Sequence, residues 1–246
     1  MTYCVGLALA DGLVLLSDSR TSAGVDNISI FSKMHIFQIP GERFFTLLTA
    51  GNLAVSQAVV NLLHEGIENE ERLETLYTVS TPFRGAQLVG DAVRRVYEKD
   101  GPALHAQNIT FDVGALLAGE IKGRGMRMFQ LYAAGNFIEA TPDTPFLQIG
   151  EHKYGKPILD RVVSYDTDLM DGVKVALVSM DSTLRSNLTV GMPIDLLVYR
   201  RGALVPEVKR RITEDDEYFR FIRQYWSEAL RDAYRAIPRP PWTEKS

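Results

Sequence analysis

The 246-residue sequence predicts an α+β fold, a four-layer αββα sandwich with helices covering two sheets packed face to face. Three observations predict it. Apolar strand-like runs open the chain and return after residue 110. Two pairs of helical segments interrupt those runs. The order is neither a regular strand–helix alternation nor a solenoid-length repeat.

The elements follow in chain order. TYCVGLALA (2–10) and LVLLSDSR (13–20) flank Asp11-Gly12, a strong hairpin signal, and the second strand should end near Asp18. A polar stretch, 21–29, crosses to a second pair. KMHIFQI (33–39) and RFFTLLTA (43–50) are joined by a Pro-Gly turn at 40–41, and Gly51 ends the strand. In 52–67, Leu53, Val55, Ala58, Val59, Leu62 and Leu63 share one helical face. A second helix runs from Phe83 to about Lys99, its apolar positions alternating with Asp91, Arg94, Arg95 and Glu98.

Strands return at 111–121, 126–134 and 136–140, separated by glycine-containing turns, with a further short one at 146–150. YGKPILDRVV (154–163) begins a third helix, 169–184 has helical spacing, and MPIDLLVY (192–199) reads as the final strand. The charged, aromatic segment 214–237 is helical and PRPP (238–241) stops it. Phe221, Tyr225, Leu230 and Tyr234 line one side of it; Phe219, Ile222, Trp226 and Ala229 line another. So wide an apolar surface fits docking on the body or on a neighbouring subunit equally well. Residues 1–200 therefore read as the sandwich and 201–246 as an appended packing or assembly element.

Composition narrows the function. With 31 acidic and 27 basic residues the net charge is −4, which gives no global field for nucleic acid. No apolar run is long enough to span a membrane, and the start lacks a secretory pattern, so the cytoplasm is the expected location. The single cysteine, Cys4, forbids an intrachain disulfide and suits a reducing compartment as a small buried residue. His35, His64, His105 and His152 are scattered without metal-ligand spacing. His35 shares a strand face with Lys33, although a structural histidine is the favoured reading. No phosphate-binding glycine loop is present, so direct ATP hydrolysis is not expected, and no metal or cofactor is expected either.

TYCVGLALADGLVLLSDSR resembles the opening of proteasome β subunits. That family starts its mature chain with threonine, turns at Asp-Gly, and places an aspartate shortly before an arginine. Thr2, Asp11-Gly12, Asp18 and Arg20 match those features; Lys33 matches the family's lysine, and Gly51, in TAGN, its glycine. The charged C-terminal helix and IGEHKYGKPILDR look like the bacterial proteasome-related group called Anbu. The resemblance covers roughly 2–200. It departs at Glu151, where the family has serine, at Asn187, where it has aspartate, and at Val190, where it has a second serine.

The resemblance implies an N-terminal nucleophile hydrolase fold and a threonine-type endopeptidase. Removal of Met1 would free the α-amine of Thr2, which would activate the Thr2 hydroxyl. Lys33 would supply positive charge, Asp18 would hold Lys33, and the Gly51 amide would receive the oxyanion. Thr49, Ala50 and Ala54 would line the first substrate pocket. The implied partners are a peptide or unfolded protein, further copies in a ring-like or related oligomer, and an unfoldase. Spacing alone also fits a plainer arrangement: a surface Asp18–Lys33 pair, a turn at Gly51, and Thr2 as a strand end. The alternative functions are a non-catalytic structural subunit of a proteasome-like assembly and a small-molecule amidase of the same class.

Overall fold

A computed structural model describes residues 1–22, 26–68 and 73–243. Strands β1 (Tyr3–Leu9) and β2 (Gly12–Asp18) form the expected opening hairpin. Leu9 pairs with Gly12, so the loop is Ala10-Asp11, one residue earlier than the Asp-Gly pair suggests. Gly12 already lies in the strand, where a Cβ would fall 2.0 Å from the Tyr199 carbonyl oxygen. A close backbone approach, rather than the turn, requires glycine there.

Two short strands, β3 (Arg20–Ser22) and β4 (Ile28–Ile30), pair within the stretch expected to be a plain crossing. Neither has a buried face, so no alternation marks them in the sequence. Strands β5 (Met34–Ile39) and β6 (Arg43–Gly51) make the second hairpin. Helix α1 (Leu53–Glu65) follows, capped by the Asn52 side chain, which accepts from Ala54 N and Val55 N. A small hairpin, β7 (Ile67–Glu68) and β8 (Leu73–Glu74), precedes α2 (Pro82–Ala106). Thr81 caps α2 and Pro82 starts it. The helix outruns its expected end near Lys99, passing through Gly101-Pro102, because Leu104 packs back onto the core.

Next come β9 (Val113–Ile121), β10 (Gly125–Leu131), β11 (Phe137–Glu139) and β12 (Phe146–Gly150). Helices α3 (Lys156–Val162) and α4 (Leu169–Ser186) lead to β13 (Ile194–Arg200), β14 (Val208–Ile212) and α5 (Glu217–Ala236). One sheet runs β12-β1-β2-β13-β14 and the other β11-β10-β9-β6-β5. Strand β14, from beyond residue 200, thus pairs with β13 at the edge of the first sheet.

Alternation along the strands produces the layers. In β1, Tyr3, Val5, Leu7 and Leu9 pack with Leu177 and Met180 of α4, whereas Cys4 points between the sheets. In β6, Phe45 and Leu47 pack with Val59, Leu88 and Val89 from α1 and α2, whereas Phe44 and Leu48 point inward. Three apolar clusters result, one under each helix pair and one between the sheets. This is the predicted αββα order, and both faces of each sheet are buried.

Candidate functional site

The ends of β1, β6 and β12 converge on a cleft of about 450 Å³, lined by Thr2, Lys33, Thr49, Ala50 and Gly51 among others. Sheet register places Thr2. Tyr3 pairs with Gly150 across β1 and β12, and Glu151 N donates to the Thr2 carbonyl at 2.7 Å. The next side chain is clamped as well. Tyr3 Oη lies 2.6 Å from Ser179 Oγ and accepts from Gln148 Nε2, and burial pushes its pKa up to about 12.

Asp18 ends β2 fully buried. Its Oδ1 accepts from Lys33 Nζ at 2.7 Å and from Tyr3 N at 3.1 Å, and its Oδ2 accepts from Gly191 N at 3.1 Å. Burial pushes this carboxyl's pKa up; the Lys33 ammonium and the two backbone N–H groups pull the other way. Lys33, just before β5, also donates to the Arg20 carbonyl at 2.6 Å. One ion pair therefore ties together the start of β1, the end of β2, the start of β3 and the Gly191 loop. Gly51 has φ +100°, and a Cβ there would fall 2.4 Å from the Asp112 carbonyl oxygen. Only glycine fits this strand end.

Ala54 is exposed and stands outside the cleft lining, to which α1 contributes Leu53 and Ser56. Positions three apart share a helical face, and the cap at Asn52 sets that phase. Arg20 and Asp112 also line the cleft. The run before Arg20 pointed to Arg20; nothing local pointed to Asp112, which comes from the strand pairing of β6 with β9. Glu151, Asn187 and Val190 lie beside the cleft rather than in it. Buried Glu151 accepts from Asn187 Nδ2 at 3.1 Å, Asn187 Oδ1 accepts from Thr189 N and Oγ1, and Val190 packs in the core under α4. His35 neighbours His64 of α1; burial, then the His64 charge, lowers its pKa. Among the described residues, no three His, Cys, Asp or Glu side chains gather as a metal site. Among them, too, no helix is long and apolar enough to cross a membrane.

The expected threonine-peptidase activity is corrected by the position of Thr2. Thr2 is buried, with 7% of its surface exposed. Among the described residues, no hydrogen bond joins the Thr2 hydroxyl to Lys33, whose ammonium is engaged by Asp18 and the Arg20 carbonyl. A nucleophile needs exposure to substrate and a base in reach; Thr2 is buried, and among the described residues no side-chain base is hydrogen-bonded to its hydroxyl. The hydrolase and threonine-protease assignments fall with it. So does the amidase alternative, which relies on the same hydroxyl.

The family model for the proteasome subunit matches residues 2–198. No curated protein sequence matches the chain. Solved structures do. Anbu, the ancestral beta-subunit, from Yersinia bercovieri is 48% identical over 97% of this chain and 98% of its own, with a TM-score of 0.89. Anbu from Hyphomicrobium sp. strain MC1 is 50% identical over 97% of this chain and 99% of its own, with a TM-score of 0.86. The helical assembly of the Anbu complex from Pseudomonas aeruginosa is 49% identical over 99% of this chain and 100% of its own, with a TM-score of 0.92. With the αββα layers and the Asp18–Lys33 pair at the end of β2, these matches make the chain a member of the proteasome subunit family, homologous to Anbu along nearly its whole length.

Proposed function

We propose that the chain is a non-catalytic structural subunit that assembles with further copies of itself. Thr2 carries this reading, because the residue is buried, with 7% of its surface exposed. The Asp18–Lys33 pair then acts as a clasp that fixes the N-terminal strand and the loops around it. The helical assembly of the Pseudomonas aeruginosa relative supports self-association here, in a ring-like or helical array. The reading needs neither a peptide substrate nor an unfoldase. It places the chain in the cytoplasm, supported by a sole cysteine that is buried as a free thiol.

The assembled mass tests it. Light scattering on the purified full chain should give a particle several times the 27.5 kDa of one copy. A single species at the mass of one copy, at concentrations up to tens of micromolar, would overturn the assembly half of the reading.

A further inference from the structure

The first sheet stops one strand short of the second. Strand β12 forms its edge and packs over β9 and β10, while β11 lies one strand farther out in the second sheet. Ile138 of β11 pairs with Gln130 of β10. Their neighbours Phe129, Leu131 and Phe137 pack under α1 and α2, so alternation turns Ile138 and Gln130 toward the first sheet. Ile138 is nevertheless 46% exposed, because β12 ends the sheet above before reaching it.

The edge of β12 is open. Ala8 N donates to the Pro145 carbonyl and Glu151 N to the Thr2 carbonyl, both at 2.7 Å. Bonding positions alternate in an antiparallel pair, so Leu147 and Ile149 turn their backbone groups to β1, and Phe146 and Gln148 turn theirs outward. A groove follows this edge as two adjoining cavities of about 490 and 290 Å³ that share Gln130, Gln148 and His152. Gln130 contributes to one wall; Lys156 and Asp160 of α3, with Val163 just past it, form the other. Sheet edges are usually guarded by charge. The opposite edge strand, β14, carries Lys209, Arg210 and Arg211, whereas β12 reads FLQIG.

We propose that β12 receives an extended segment of a partner protein as an added strand of the first sheet. The outward N–H and C=O groups of Phe146 and Gln148 pair with the backbone of that segment. Successive side chains of an added strand point to opposite faces. One set covers Ile138 on the second sheet; the other meets half-buried Phe146 and Val163 beside α3. Both sets are therefore apolar. Asp143 is exposed at the far end of the groove and has no ion-pair partner among the described residues, so it selects a lysine or arginine there. The groove meets the Thr2 cleft at Ala50, Gly51, Asp112 and Gly150, but Phe146, Ile138 and Asp143 lie outside that cleft. The contact uses no chemistry at Thr2 and is independent of the assembly reading.

A fluorescein-labelled peptide that alternates valine and threonine, ends in arginine and is capped at both ends tests this on the purified full chain. Fluorescence anisotropy should show saturable binding. Methylating the peptide's backbone nitrogens should weaken it about tenfold or more, because the added strand loses its donors. Ile138→Lys and Asp143→Lys should each weaken it about five-fold or more. Both side chains are exposed, so thermal unfolding midpoints should stay close to that of the wild type. Hydrogen exchange followed by mass spectrometry should slow at 146–150 when the peptide binds. No saturable binding up to hundreds of micromolar protein overturns the proposal, as does equal binding of the methylated peptide or of both variants. Slowed exchange at 49–52 without a change at 146–150 places the peptide in the Thr2 cleft and overturns it too. Exchange at 146–150 that is already slow and unchanged by peptide means that the chain's own tail or a second copy fills the edge, which overturns the assignment to a partner protein.

Discussion

Lys33→Met is expected to destabilise the fold by about 3–5 kcal/mol, because it removes one partner of a buried ion pair and strands the other. Asp18 is fully buried at the end of β2, and the Lys33 ammonium is its sole cationic hydrogen-bond partner among the described residues. Tyr3 N and Gly191 N remain as donors, but neither carries charge. The variant's unfolding midpoint should fall by roughly 6–20 °C for a chain of this length. The loss should also depend on pH. Without the ammonium, the folded pKa of Asp18, already raised by burial, moves further above its unfolded value of about 4. A raised carboxyl pKa contributes stability below the unfolded value and loses it as pH climbs through the folded one. The gap between variant and wild type should therefore be smaller at about pH 5 than at about pH 7. Chemical denaturation at both pH values checks this. A gap under about 1 kcal/mol at neutral pH would place the pair among exposed ion pairs and contradict the clasp.

Phe219→Ala should cost about 3–5 kcal/mol, the range for emptying a buried phenylalanine site. Phe219 is the first anchor of α5 and sits in the cluster with Met180 and Ile222. Arg223 adds a second link, its Nε donating to Oδ1 of buried Asp181 at 2.8 Å, while Arg185 donates to Oδ2. These contacts hold the start of α5 and leave its far half projecting. Phe221→Ala, two residues along and exposed, should change the stability of the single chain by less than about 0.5 kcal/mol. Thermal unfolding of both variants, in dilute conditions that minimise association, checks the contrast. Equal losses would mean that α5 does not use the Phe219 face to reach the body.

The sequence makes strands with two buried faces easy to read. Runs such as VGLAL and LVLL are apolar almost throughout, because one side chain meets the helices and the next meets the other sheet. Strand β14 escaped that test. It is an edge strand reading VKRRI, with Lys209, Arg210 and Arg211 exposed, so its pattern is that of a charged surface. Within the cleft, the match of Asp18, Lys33 and Gly51 to a family pattern drew attention to residues that the fold brings together. The state of Thr2 was not legible, because its burial follows from β1 pairing with β12 and from Glu151 N, nearly 150 residues away in the chain. Local pattern carries no information about pairing at that separation. Ala54 shows a smaller effect of the same kind, since a cap at Asn52 rather than composition decides which side of α1 meets the cleft.

The central claim is that Thr2 does no chemistry, and peptide hydrolysis measures it most directly. The purified assembly and its Thr2→Ala variant would be incubated with a mixed library of unstructured peptides. Cleavage would be followed by mass spectrometry, with the N-terminal residue of each preparation determined alongside. The account predicts the same background cleavage in both, because a buried threonine with no side-chain base hydrogen-bonded to it adds nothing to the rate. Cleavage at least tenfold faster in the wild type, abolished by Thr2→Ala in an equally well-folded protein, would contradict it.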